Sequence, residues 1–332
     1  MRIRTTLIRT ITATAVVAAA AAGCQPGLHG QQAPNGSQGS PAPQPAPQAQ
    51  PVPQAAPAPA QHAGQPVLAV KIDNAPEARP AVGLGAADVV YVEPVEGGLS
   101  RLIAVFGDHR PPQIGPVRSA RETDLELLGQ YGRPTLAYSG AAPQLDPMLA
   151  GASVTPVKPE QNQGAFFRDE SRESPHNLFT RPDRLPEGAP WSPKAEPNYG
   201  PAPAGGAPQP TARVAYESAT TDFTWSPQEH RYQVSMDGQP ANAADSGRLG
   251  AGTVVLQEVP IQQSAISDVA GSASPHAKTV GSGRAVVLRD GKAYAAKWNR
   301  PSPEAGTSYT TESGEPLPFA QGPVWVALTG RL

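Results

Sequence analysis

From Val67 onward the chain alternates short apolar runs with turn residues, a pattern of strands more than of long helices. Val67 to Ile72 is an apolar strand that ends at Asp73-Asn74. Asp88 to Val92 and Leu99 to Phe106 are two more, with a Gly97-Gly98 turn between them, and Thr135 to Ser139 is a fourth. Between the last two, Ser119-Ala-Arg-Glu122 has the spacing of a capping box. It predicts a helix through Leu125, Leu127 and Leu128 with Ser119 as its N-cap. In the second half Arg213 to Tyr216, Arg231 to Ser235, Thr253 to Val259, Arg284 to Leu288, Lys292 to Trp298 and Val324 to Leu328 read as strands. Asp290-Gly291 is a hairpin turn between two of them. A Pro/Gly/Ala-rich stretch from Trp191 to Pro210 marks a boundary. The expected architecture is therefore an α+β (or α/β) N-terminal domain over 66–200, followed by a mainly β C-terminal domain over 211–332.

The first 65 residues follow no such pattern. Arg2, Arg4 and Arg9 precede an uncharged apolar run from Ile11 to Ala22, which is too short to span a bilayer and suits a signal peptide. The run ends Ala21-Ala22-Gly23-Cys24, which resembles the lipobox of bacterial lipoproteins. That resemblance implies a signal peptide over 1–24, a diacylated Cys24 as the first mature residue, and attachment to the extracytoplasmic face of the cell membrane. Residues 25–65 hold 10 prolines, and no Lys, Arg, Asp or Glu occurs between Arg9 and Lys71. Such a composition predicts a disordered tether, with a mean reach of roughly 35 Å as a coil. His29 and His62 fall within it and are expected to be inert.

Composition narrows the chemistry further. With 26 basic and 28 acidic side chains the formal net charge is −2, so charge gives no sign of a nucleic-acid partner. The single cysteine excludes an intrachain disulfide, a Cys-based metal site and a paired-cysteine redox centre. No metal-ligand motif and no phosphate loop is present, and no cofactor is implied. Gly281-Ser-Gly283 lacks the remaining residues of a phosphate loop.

Three groups of polar residues stand out. Arg118, Ser119 and Arg121 lie at the expected helix start, where free backbone N–H groups and two guanidinium forks suit a carboxylate or phosphate. The alternative is that the arginines pair with the chain's own Asp73, Glu93 or Glu96. Asp73-Asn74, Glu93 and Glu96 sit at the ends of expected strands, where acids either form a polar pocket or cap turns. Phe166-Phe-Arg168-Asp169 and Ser174-Pro-His176-Asn177 form the third group, in which His176 is the general acid–base candidate. Asn177 joins the possible pocket.

These residues resemble those of the YerB-like family of bacterial lipoproteins, whose two domains have no assigned function. The resemblance is carried by Ile72-Asp73-Asn74, Ala78-Arg79-Pro80, Gly83-Leu84, Ala87-Asp88, Val95-Glu-Gly-Gly98, Arg101, Ala104-Val-Phe106, Ile114 to Arg121, Phe167-Arg168-Asp169 and Pro175-His-Asn177. It continues more loosely in Val280-Gly-Ser-Gly283 and Gly322-Pro-Val-Trp325. It implies a two-domain lipoprotein and brings no reaction, ligand or catalytic residue with it. Two functional expectations follow. One is a ligand-binding or scaffolding lipoprotein holding an anionic ligand or envelope component through Arg101, Arg118, Ser119 and Arg121. The other is a cell-envelope hydrolase or transferase in which His176 and Glu93 supply the acid and base.

Overall fold

The computed structural model describes His62, residues 64–267 and residues 271–332. Cys24, His29 and nearly all of the expected tether lie outside the described residues.

Five strands of the first half are β1 (Leu68–Ile72), β2 (Val89–Pro94), β3 (Ser100–Phe106), β4 (Thr135–Ala137) and β5 (Thr155–Val157). They belong to one sheet that continues into the second half. Its order from one edge is Ser308–Thr311, Lys292–Arg300, Gly281–Arg289, Thr253–Glu258, Val324–Thr329, then β2, β3, β1, β4 and β5. The strand Val324–Thr329 joins the halves, pairing in parallel with β2 on one side and with Thr253–Glu258 on the other. The expected N-terminal and C-terminal units thus share a sheet. Trp191, at the start of the boundary stretch, is 1% exposed and part of the core.

Alternation along each strand sorts side chains onto two faces. On one face Val70, Val92, Leu102 and Trp325 are buried with Phe223, Tyr232 and Val234 of a second, smaller antiparallel sheet. On the other, Ala69, Tyr91, Ile103 and Val326 are buried with Leu125 and Leu128 of α1 (Glu122–Leu128) and Leu149 of α2 (Asp146–Gly151). This second face also takes Ile266 and Ala277 from the hairpin formed by Ile261–Ser267 and Ala273–Ala277. A short hairpin, β6 (Phe166–Arg168) and β7 (Leu178–Thr180), lies outside both sheets.

The molecule is therefore mostly β. The second half is β-rich as expected, whereas among the described residues the first half carries two short α-helices and several single turns of 3-10 helix. Two turn expectations appear in the backbone: Gly97 and Gly98 have φ of 68° and 67°, and Asp290 and Gly291 have 53° and 74°. Left-handed backbone at both positions of the two-residue Asp290-Gly291 turn matches the twist of a hairpin, whereas Gly97 and Gly98 belong to a three-residue loop between Val95 and Leu99. The strands Thr220–Ser226, Ile261–Ser267, Ala273–Ala277 and Ser308–Thr311 were not expected. Ser274-Pro275-His276 lies in one of these strands, and Gly281-Ser-Gly283 opens the strand Gly281–Arg289.

The expected capping box is also corrected. Arg121, not Ser119, is the N-cap of α1, and Asp124 at N3 accepts the Arg121 N–H at 2.8 Å. Residues 114–121 run extended instead. Val117 N–H donates to Leu178, Arg118 N–H to Lys71 and Ala120 N–H to Gly140. These backbone donors are already used.

His62 corrects the tether expectation. It is 5% exposed, stacks on Trp191 with ring centroids 4.4 Å apart, and reaches Glu196 at 2.9 Å and Asp88 at 3.2 Å. Trp191 N–H donates to the Gln65 carbonyl, so the chain is engaged before Val67. Among the described residues no helix is long and apolar enough to cross a membrane.

Candidate functional site

The site lies where the face of the sheet that packs on α1 turns polar. β1 places Lys71, β2 places Glu93 and β3 places Arg101 on this face, because each is two positions along from a residue buried on it, Ala69, Tyr91 and Ile103. Glu93 and Arg101 are register partners. The N-terminus of α1 lies above them.

Lys71 and Glu93 are both 0% exposed and form an ion pair, and Lys71 Nζ donates to Asp124 Oδ1 at 2.8 Å. Burial lowers the lysine pKa against the opposing pull of Asp124, and nearby Arg101 and Arg121 add to the lowering. Glu93 is thus committed to an internal ion cluster and does not meet His176. Glu93, expected as an acid–base residue, is instead enclosed by a lysine from β1, two strands away on the same face.

Arg121 makes a two-pronged contact with Glu96, Nε to Oε1 and a terminal nitrogen to Oε2, both at 2.7 Å. Ser274, reaching across from the second half, also donates to Glu96. Burial alone would raise the Glu96 carboxyl, but the Arg121 fork and the Ser274 hydroxyl outweigh it and hold it at about 2. Arg118 Nε stands 3.1 Å from Asp73 Oδ2, and the same oxygen is 2.7 Å from His176 Nδ1. The pairing alternative for the two arginines is therefore what the geometry contains, with Asp73 and Glu96 as partners and Glu93 excluded.

Arg101 differs from both. It makes no ion pair among the described residues, and its one side-chain hydrogen bond is a 3.4 Å contact to the Ser119 carbonyl. Burial, with Arg121 and Arg118 beside it, holds its guanidinium at about 10, against the opposing charges of Glu96 and Asp73. Arg101, Arg118, Ser119 and Arg121 line one cavity of about 230 Å³, together with Ser274 and an apolar wall that includes Ala141, Leu145 and Ile266.

The remaining candidates, Asn74 and Asn177, do not line this cavity. Asn74 donates to Ser100 at 2.9 Å and accepts from Arg79 at 2.6 Å through its carbonyl. With Asp73 it borders a separate, largely apolar cavity of about 330 Å³ between the sheets. Asn177 accepts from Arg168 at 2.6 Å and positions that side chain. Sequence reasoning missed Lys71, Asp124 and Ser274. A lysine inside an otherwise apolar strand was the available signal for the first, and Ser274 comes from so far along the chain that nothing local marks it. No group of three or more His, Cys, Asp or Glu side chains suited to a metal occurs among the described residues.

Comparison with known proteins gives consistent results. Models described as "Protein of unknown function (DUF3048) N-terminal domain" and "Protein of unknown function (DUF3048) C-terminal domain" match residues 54–193 and 212–326. A curated relative from Bacillus subtilis (strain 168), "Putative lipoprotein YerB", is 32% identical over 123 residues. That alignment spans 37% of this chain and 37% of the relative, little more than a third of its length. The crystal structure of YerB protein from Bacillus subtilis superimposes with a TM-score of 0.69 at 20% sequence identity, covering 81% of this chain and 92% of that one. At that identity the likeness is one of fold. With both family models matched in order and the fold shared, the chain belongs to the DUF3048 family of two-domain proteins of unknown function, which includes YerB.

Proposed function

We propose that this chain is a lipoprotein, anchored through a diacylated Cys24 on the extracytoplasmic face of the membrane, whose folded body binds an anionic ligand in the arginine-lined cavity. The anchoring reading is supported by the leader and lipobox pattern before Cys24 and by the lipoprotein name of the relative. Replacing Cys24 by Ala should move the protein from the membrane fraction to a soluble fraction, because among the described residues no helix is long and apolar enough to hold it in a membrane. A variant that still sediments with membranes after high-salt washing would refute the lipid anchor.

The observation that carries the binding reading is Arg101. Its half-buried guanidinium has no carboxylate partner among the described residues, which leaves its charge to be neutralised from the cavity it shares with Arg118. An acid entering there would meet two cations whose terminal nitrogens are largely uncommitted. The hydrolase or transferase alternative has less support, since the base it calls for, Glu93, is enclosed with Lys71, while His176 pairs with Asp73.

The test separates binding from architecture. Inorganic phosphate and acetate, titrated by calorimetry or by amide chemical shifts, should bind the intact protein and lose binding in Arg118→Ala. That change should cost little stability, since Arg118 is part-exposed and Asp73 keeps His176 and the Ala75 N–H as partners. Arg121→Ala should instead cost on the order of 1.5–3 kcal/mol by leaving the half-buried Glu96 with Ser274 as its remaining side-chain donor. If neither anion binds the intact protein, the site is architecture alone.

A further inference from the structure

Arg118 belongs to two cavities. Besides the 230 Å³ cavity it shares with Arg101, it lines a second of about 330 Å³. The serines on either side, Ser119 in the first and Ser139 in the second, have their hydroxyls 3.4 Å apart. The second cavity is built by the β6–β7 hairpin and the loop before it. Phe166, Phe167, Pro175 and Leu178 give it apolar walls, and the exposed Arg168 adds a second guanidinium, which with Arg118 outweighs the single carboxylate on the lining, Glu160. Asn177 holds Arg168 in place, and Arg168 makes no ion pair among the described residues. Phe167 is itself braced, with Arg181 over its ring at 4.0 Å and Phe179 stacked at 5.8 Å. This is a preformed wall, not a loose loop surface.

A bare inorganic anion would use Arg118 and leave this compartment unfilled. We infer that the ligand of the anion site is an organic acid, with its acidic group at Arg118 and an apolar, ring-sized body in the Phe166–Phe167–Pro175 compartment. The inference rests on the anion-binding reading proposed above and adds to it the class of ligand. Apolar walls supply affinity in proportion to the area they take out of water, while the guanidinium fixes the orientation of the head group.

The experiment compares matched probes on the intact protein: inorganic phosphate against phenyl phosphate, and acetate against benzoate. In at least one pair the ring-bearing probe should bind about tenfold more tightly than its simple partner, equivalent to about 1.4 kcal/mol. The phosphate and carboxylate pairs between them identify the acidic group. Gln163→Trp, at an exposed residue on the rim of the second cavity, should remove the preference for the ring while leaving the simple anion bound. Arg118→Ala should remove both. Equal binding of ring-bearing and simple probes, dependent on Arg118, would overturn the organic-acid inference and leave the anion site standing. A ring preference that survives Gln163→Trp would overturn it in the same way. Binding of no probe would overturn both readings together.

Discussion

Lys71 and Arg101 sit one strand apart on the same face and meet opposite fates. Lys71 is enclosed by Glu93 and Asp124, so its charge is matched inside the protein, whereas Arg101 keeps its charge at a cavity wall. The difference comes from α1: Asp124 projects from its first turn onto Lys71, while Arg121 from the cap residue turns to Glu96 and repels Arg101. His62 shows the same logic away from the site. Burial works against a charged imidazole there, but hydrogen bonds and charge from Asp88, then from Glu196, outweigh it and raise its pKa above the ordinary histidine value. A raised folded pKa means that protonated His62 contributes stability fully below the unfolded value of about 6.5, and that this contribution is lost as pH rises through the folded value. Thermal melts of His62→Gln should therefore lie below those of the intact protein by about 2–4 °C at about pH 5.5, equivalent to about 1 kcal/mol, with the gap narrowing by about pH 9. A gap that stays constant with pH would show that stacking on Trp191, not charge, holds the residue.

At the scale of elements, what was legible depended on whether the signal was local. The strands β1, β2 and β3, the Gly97-Gly98 turn and the Asp290-Gly291 hairpin each carry their own residues' preference, and each lies where the pattern put it. The helix start did not, because Ser119-Ala-Arg-Glu122 has capping-box spacing while the run it continues is held extended, Val117 by β7, Arg118 by β1 and Ser139, and Ala120 by Gly140. Tertiary pairing overrode the local rule, so whatever an anion meets there must come from side chains and not from a helix end. The hairpin 261–277 was invisible for a related reason. Its residues Gln262, Gln263 and Ser264 are exposed or half-buried on one arm, and small residues fill the other, so no apolar alternation announces it. Yet it delivers Ser274 to Glu96 and His276 to Glu122, at 3.0 Å. The arginines, Asp73, Glu96 and His176 were legible as chemistry. Their partners were not, since pairing Arg118 with Asp73 or Arg121 with Glu96 requires knowing how strands far apart in sequence are ordered.

For the whole molecule the decisive element is the strand Val324–Thr329. All six of its residues are buried, and it lies between β2 and Thr253–Glu258, so a strand from near the end of the chain completes the sheet begun near residue 68. The family is described as two domains, matched over 54–193 and 212–326, but the sheet makes them mutually dependent. Without the second half, β2 would present Val89, Val90, Tyr91 and Val92 along an open edge, and its upper face would lose Trp325 and Phe223. A long apolar edge of that kind favours aggregation over folding. The candidate cavity would open as well, since Ile266 and Ser274 both come from the second half. The fragment 62–200 produced alone should accordingly show no cooperative thermal transition and should aggregate, while co-expression with 211–332 should restore a single transition like that of the intact chain. Intact-like, dispersed amide spectra and a cooperative melt from the isolated 62–200 fragment would mean instead that the first half carries a complete core, with the shared strand a docking contact between two finished domains.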